Sequence, residues 1–368
     1  MGGRMFRLTR GRVIKFDVWL LVCVGALISI GFLTLKSIQV AGGALTPNIL
    51  DRQFLALIIG IAVLTLLSSF NYRYFLYFFP IFYLLAVASL IAVLVFGDSV
   101  RGAVRWFELA GLQFQPSEVV KPLLIVCFAF FSQWARGKFN DWLIVLISFL
   151  LLLPVQILIF LEPDLSTMIV VFAIWLGFLW MGLEDLKPLI TVSLITLALL
   201  PLIYFVLSPY QSSRLSSFLD PYKDPLGTGY NAIQATIAVG SGQIWGRQWG
   251  KGTQSHLSFL PDQHTDFIFA TFCEEQGFIG AVVLIVIYSL FFWRLLLIMS
   301  QIKEYVGRII VGSVFVMFFV QFVINIGMNI GLLPVTGIPL PFVSYGGTSL
   351  VISLASVGLV QGVLMFEV

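Results

Sequence analysis

Charge is scarce in this chain: Asp, Glu, Lys and Arg make up 11% of its 368 residues, against a hydrophobic share of 59%, where a soluble domain carries about 25% charged residues. That excludes a water-soluble fold. A single hydrophobic core stops growing beyond about 250–300 residues, so the surplus apolar surface has to face lipid. Cysteine and histidine are also rare, with three and two residues. Cys23, Cys127 and Cys273 each sit inside an apolar run, an odd set that gives neither a disulfide framework nor a thiolate metal site. His256 and His264 lie outside the usual zinc spacings. A net charge of +3 is too small for nucleic-acid binding, and no nucleic-acid partner is expected. The basic start (Arg4, Arg7, Arg10, Arg12, Lys15) leads into an apolar run from Val18 to Leu35 without a small-residue cleavage site, which predicts a first span and not a cleaved leader.

What the chain has is apolar length, with a mean hydropathy of +1.01. A bilayer core takes about 20 apolar residues per helix. Runs near 18–37, 52–70, 74–96, 119–135, 142–160, 164–182, 187–207, 266–297, 308–331 and 345–365 predict an all-α polytopic membrane protein of about ten transmembrane helices. Only Leu161-Glu162-Pro163-Asp164 separates the fifth and sixth runs. The Lys/Arg bias of short loops places a basic N-terminus, residues 1–17, and the C-terminus in the cytoplasm. Most acids, Asp51, Asp98, Glu118, Glu162, Asp164, Asp220 and Asp266 among them, then fall outside. Two external loops follow, 97–118 and a large one, 208–265, between helices seven and eight, in a single integral-membrane domain without repeats. The 32 glycines and 15 prolines belong to real loops of this kind, and a loop of that length is functional or disordered.

Several polar groups interrupt the apolar pattern. Arg101 and Arg105, beside Trp106, form an anion cradle at headgroup level or simply anchor a helix end. Ser117 reads as an N-cap, and Glu118 with Lys121 as an i,i+3 pair at the start of the next span. Glu162 and Asp164 flank Pro163, where a carboxylate pair can share a proton or hold a divalent cation, and where an acid also suits a helix N-terminus. The long loop carries Arg214, Asp220-Pro221 and Asp224-Pro225, and its Gly250-Lys251-Gly252-Thr253 lacks the spacing of a nucleotide loop. Asp266 falls at the first turn of an apolar helix with Thr265 as the expected N-cap. A carboxylate there is either a helix-start acid or a functional group, since charge near the bilayer is costly. Glu274 and Glu275, two turns deeper, suggest a polar cavity beside that helix. Gln321, Asn325 and Asn329 make a polar stripe at i, i+4 and i+8, read as interhelical hydrogen bonding or as the lining of the same cavity. Three prolines in the stretch 334–341 preclude a regular helix there.

Taken in order, Arg101-Gly102-Ala103 with Arg105-Trp106, Gln115-Pro116-Ser117-Glu118, Glu162-Pro163-Asp164, Asp220-Pro221, His264-Thr265-Asp266-Phe267 and Pro339-Leu340-Pro341-Phe342 with Ser344-Tyr345-Gly346-Gly347 resemble the shape, elongation, division and sporulation family over nearly the whole chain. Gly252-Thr253-Gln254-Ser255-His256-Leu257 is similar to the loop of its elongation branch. The resemblance implies ten spans in a bacterial cytoplasmic membrane. It also implies a peptidoglycan glycosyltransferase that polymerises lipid II into polyprenyl-pyrophosphate-linked glycan on the outer face. The partners it implies are a class B penicillin-binding protein and other elongation-complex membrane proteins. Asp266 falls on the family's essential aspartate, and Glu118 and Lys121 fall on its Pro-Ser-Glu-x-x-Lys string. Asp262 and Gln263 depart from the commoner family residues but keep the negative charge.

On this reading Asp266 is the catalytic carboxylate. Arg101, Arg105, Lys121 and Arg214 clamp the pyrophosphate, Glu118 orients Lys121, and Glu162, Asp164 and Asp220 are supporting acids. A weakly basic diphosphate leaving group needs charge neutralisation more than a proton donor. A divalent cation, Mg or Mn, is the one cofactor this chemistry would accept. Two rival readings use the same groups, a lipid II flippase and a non-catalytic scaffold. Charges crowded at the external ends, with no repeat, favour the enzyme over a transporter whose site would sit near the midplane.

Overall fold

Prolines and polar caps set where the apolar runs begin. The computed structural model describes residues 16–42, 48–100, 103–109, 112–203, 209–256 and 259–367. In chain order it comprises α1 (Val18–Gly42), α2 (Ile49–Ser69), α3 (Tyr72–Tyr77), α4 (Phe79–Phe96), β1 (Asp98–Val100), β2 (Ala103–Leu109), β3 (Leu112–Phe114), α5 (Pro116–Ala135), α6 (Asp141–Leu161), α7 (Leu165–Gly182), α8 (Lys187–Ile203), α9 (Pro209–Leu219), α10 (Tyr230–Ser241), α11 (Thr253–His256), α12 (Ile268–Gln301), α13 (Tyr305–Asn329) and α14 (Gly347–Phe366). Pro80 and Pro116 occupy the first turns of α4 and α5, where a missing N–H costs nothing. Asn140 caps α6 by accepting from Leu143 N–H at 2.9 Å, and Asp164 caps α7 by accepting from Thr167 N–H at 3.1 Å.

Among the described residues nine helices are long and apolar enough to cross a membrane, and Lys187–Leu199 is a shorter apolar helix. The fifth and sixth runs are separate helices, α6 and α7. The helices sort into an inner and an outer set. In α5 and α14, 72% of the most apolar window is buried inside the bundle, against 17% in α4 and 22% in α2. The inner helices carry buried polar side chains that include Glu118 and Lys121 on α5, Gln321, Asn325 and Asn329 on α13, and Gln361 on α14. The outer ones turn Ile, Leu and Phe outward, the pattern that lipid requires.

The segment 97–118 departs from the all-helical expectation. It folds as a three-stranded antiparallel sheet in the order β1-β2-β3, with Ser99 opposite Val104 and Glu108 opposite Gln113. The long loop is ordered by helices. Its apolar stretch 233–239 lies within α10, whose Ala235 and Ala238 are fully buried and which packs on α12.

The start of α12 is where the loop is fastened. Gly277 has φ 66 and ψ −165, which breaks the helix, a conformation open essentially to glycine alone. Into this break runs the chain 243–248: Phe278 N–H donates to Gln243 O at 2.8 Å and Arg247 N–H to Glu274 O at 2.9 Å. The approach is so close that a Cβ on Gly277 would lie 2.3 Å from Gly246 N, and one on Gly242 2.0 Å from Cys273 O. Glu274 accepts from Gln254 N–H at 2.8 Å, and Glu275 accepts from Ser37 and from Gly250 N–H. The polar cavity expected beside these two buried acids is therefore a correction: they face the loop backbone and hold it down.

Candidate functional site

Five helices, α2, α5, α7, α12 and α14, begin at the end of the bundle that carries the two loops, and their first residues surround a cavity of about 380 Å³. Helix N-termini present unpaired N–H groups and a partial positive charge, which favours an anion. Among the described residues four cations, Arg52, Arg105, Lys121 and Arg214, line the same space, with four acids, Glu118, Asp164, Asp262 and Asp266. The charges balance, but the acids differ in what occupies them.

Glu118 and Lys121 form a buried ion pair at 2.6 Å, their side chains 6% and 2% exposed. The N-cap of their helix is Gln115, not Ser117 as expected; Pro116 takes the first position, and the Ser117 hydroxyl is buried without a hydrogen-bond partner among the described residues. Asp164 is spent on α7: its Oδ1 accepts from Thr167 N–H and its Oδ2 from the Thr167 hydroxyl at 2.9 Å and from Gln115 Nε2 at 3.1 Å. Arg105, on β2, is seated on the turn between α6 and α7. Its Nε donates to Glu162 O at 2.8 Å, its Nη2 donates to Pro163 O, and its Nη1 lies 3.9 Å from Asp164 Oδ1.

Asp266 is half-buried and lines the cavity. It precedes α12 instead of lying in its first turn; Phe267 is the N-cap, and Thr265 turns its hydroxyl back to Asp262 O at 3.2 Å. Gly337, with φ +83, comes up against it: a Cβ there would lie 3.2 Å from Asp266 Oδ2 and 3.9 Å from Arg214 Nη1. Carboxylate and guanidinium thus both stand beside Gly337 in the wall. Arg214 also donates to Thr336 O at 3.0 Å, and Ser166 donates to the same carbonyl. The segment 339–345 is laced to this loop. Ser344 Oγ donates to Thr265 O at 2.6 Å, and Tyr345 N–H donates to His264 O at 2.8 Å.

Of the residues singled out from sequence, Arg105, Glu118, Lys121, Asp164, Arg214 and Asp266 converge on the cavity. Arg101 lies outside the described residues. Glu162 does not line the space: its side chain is fully buried, neither carboxylate oxygen has a hydrogen-bond partner among the described residues, and burial, then Asp164, push it up to about 8 against the pull of Arg105. Asp220 is exposed beyond α9 and forms no part of the wall. Sequence reasoning missed Arg52, His264 and Tyr345 as wall residues. Arg52 carries a signal in the sequence, a cation in the first turn of a span at the same end as Asp266. Among the described residues no group of three or more His, Cys, Asp or Glu stands together to hold a metal.

The chain is similar to known proteins over most of its length. It is 35% identical to "Peptidoglycan glycosyltransferase MrdB" of Escherichia coli (strain K12) over 320 residues, 86% of this chain and 85% of that protein. It is 30% identical to "Peptidoglycan glycosyltransferase RodA" of Treponema pallidum, covering 95% and 98%. Among solved structures, a chain from a study of structural coordination of polymerization and crosslinking by a peptidoglycan synthase complex superposes with a TM-score of 0.79 at 35% identity, covering 96% of this chain and 98% of that one. The rod shape determining protein RodA of Thermus thermophilus superposes with a TM-score of 0.72 at 29% identity, again over 96% and 98%. The family described as cell cycle protein, FtsW/RodA/SpoVE, matches residues 13–367. This integral membrane protein belongs to the FtsW/RodA/SpoVE family.

Proposed function

We propose that the chain is a peptidoglycan glycosyltransferase that joins lipid II units into glycan strands at the outer face of a bacterial cytoplasmic membrane. The observation that carries the reading is the placement of the Asp266 carboxylate and the Arg214 guanidinium beside Gly337, in a cavity walled, among the described residues, by three further cations. Arginines bind phosphate oxygens bidentately, and the helix N-termini add to their field. Arg105, Lys121, Arg214 and Arg52 cradle the diphosphate of a polyprenyl-linked donor, with Arg101 as the further candidate.

In the reaction the 4-hydroxyl oxygen of a second lipid-linked saccharide bonds to the anomeric carbon of the donor. The bond from that carbon to the diphosphate breaks, and its electron pair leaves on the phosphate oxygen. The hydroxyl proton passes to Asp266. An aspartate is a weak base, with a reference pKa near 3.9; it suffices because the proton leaves an oxygen already made acidic by the forming bond. Glu118 holds Lys121 in place. Because the four wall cations are matched by four acids, an arriving diphosphate leaves negative charge unbalanced. A divalent cation, Mg or Mn, arriving with the diphosphate would complete the balance.

The likeness to a chain from a complex that couples polymerization to crosslinking supports a class B penicillin-binding protein as partner, with other elongation-complex membrane proteins beside it. Purified protein in detergent, given lipid II, is expected to make glycan ladders, and Asp266→Asn is expected to abolish them while leaving the protein folded. Ladders from Asp266→Asn at the wild-type rate would refute the assignment. Flipping cannot be defined without a bilayer, so ladders in detergent separate polymerase from flippase, and loss on Asp266→Asn separates it from scaffold.

A further inference from the structure

Asp266 stands off α12 because α13 reaches into the turn that would have absorbed it. In a continued helix Ala270 N–H would donate to the carbonyl of Asp266, four residues back. Here the side-chain amide of Asn329 lies between the two groups. Its Oδ1 accepts from Ala270 N–H at 3.2 Å, and its Nδ2 donates to Asp266 O at 3.1 Å. One turn toward the middle of α13, Asn325 Nδ2 donates to the same carbonyl at 3.0 Å and to Ile338 O at 2.7 Å. Both asparagines are fully buried, and Asn329 Nδ2 also donates to Asn325 O at 2.8 Å, which locks the pair.

Two amides on one helix face therefore hold one backbone carbonyl, that of Asp266, and one of them ties it to the strand of chain that brings Gly337 against the Asp266 carboxylate. Neither is among the residues that line the cavity. We propose that Asn329 and Asn325 are the positioning residues of the reaction: by occupying the hydrogen-bonding groups where α12 would otherwise extend they leave Asp266 in the turn before the helix, at the cavity wall, and through Asn325 they hold Ile338 and with it the opposite wall. The inference rests on the reading of Asp266 as the catalytic carboxylate, but its geometric part can be tested without turnover.

Asn329→Leu keeps the number and branching of heavy atoms and removes both bonds, so Ala270 N–H is free to take the Asp266 carbonyl and extend the helix back toward Asp266. The first measurement is the rate at which a water-soluble maleimide alkylates Asp266→Cys, alone and combined with Asn329→Leu, the unsubstituted chain serving as blank for Cys23, Cys127 and Cys273. The expected result is several-fold slower alkylation in the combined variant. The second measurement is polymerisation of lipid II by Asn329→Leu: kcat is expected to fall about a hundredfold, the cost of misplacing a reacting group by about 1 Å, with KM within about twofold. Should Asn329→Leu not be recovered folded, Asn329→Asp, which keeps the acceptor and loses the donor, carries the same comparison. Unchanged alkylation, or wild-type kcat in the folded variant, overturns the proposal. If the wild type makes no polymer while alkylation still slows, the assignment of function fails and the positioning role stands.

Discussion

At the scale of single residues the cavity depends on charges that hold one another. Replacing one partner of a buried ion pair leaves the other uncompensated and costs about 3–5 kcal/mol, whereas replacing both is nearly neutral. Lys121→Met is accordingly expected to lower the thermal midpoint in lipid nanodiscs sharply, and Glu118→Gln/Lys121→Met to recover most of the loss; equal midpoints for single and double variants would show that the 2.6 Å pair contributes nothing. Glu162 behaves differently. Burial raises it from an ordinary 4.5 to about 8, so between those values the native chain keeps a proton that the unfolded chain has released. Stability is greatest below the lower value, declines as pH rises toward the upper one, and levels off beyond it. Glu162→Gln removes that decline. Its midpoint is expected to match the wild type near pH 4.5 and to exceed it by a growing margin up to pH 8; a constant margin across that range would refute the assignment. Asp266, Glu118 and Lys121 were legible as single letters because a carboxylate or ammonium beside a bilayer is costly enough to stand out. Glu162 was read as a supporting acid because its spacing from Asp164 is visible in sequence, but whether a side chain points into a cavity or into the protein is not.

At the scale of elements, the break in α12 is the feature most sensitive to a small change. Gly277→Ala forces a side chain into a backbone conformation that costs about 1–3 kcal/mol and into the strand of chain at Gly246. The expected outcome is faster cleavage within 242–256 by a protease added from the loop side, with a lowered midpoint; unchanged cleavage would mean that the loop does not depend on the break. This coupling was invisible in the sequence. Glu274 and Glu275 suggested a cavity because their partners, the N–H groups of Gln254 and Gly250, are supplied by a loop about twenty residues upstream. The helix starts were misplaced for a related reason. Ser117 and Thr265 are good capping residues by type, but Pro116 takes the first position in one case and Asn329 interrupts the first turn in the other. The small sheet in 97–118 was missed because its outer strands are three residues long, too short for an alternating pattern to show.

At the scale of the whole molecule the apolar helices were legible in order and approximate extent, because a run of apolar side chains about 20 residues long has few other fates. Which helices lie inside was not legible: α5 and α14 read like the rest, yet they are the buried ones. Close packing decides it, as a Cβ on Gly358 would lie 2.8 Å from Leu64 O and one on Gly60 2.5 Å from Leu354 Cδ1. Within a membrane such backbone approach replaces the hydrophobic drive that water supplies elsewhere. The orientation proposed from the Lys/Arg bias is open to a direct check. A fluorescent protein fused after Glu367 is expected to fluoresce, and alkaline phosphatase inserted at Asp224 to be active; the opposite pair of results would invert the topology and place the cavity on the cytoplasmic side. The α2–α14 contact also reaches the pocket. α14 seals against α2, and the residues at its start, Tyr345 to Ser349, stand in the pocket wall. That wall is therefore whole only while the two helices stay seated on each other, so loosening a seam in mid-membrane would open the pocket from below.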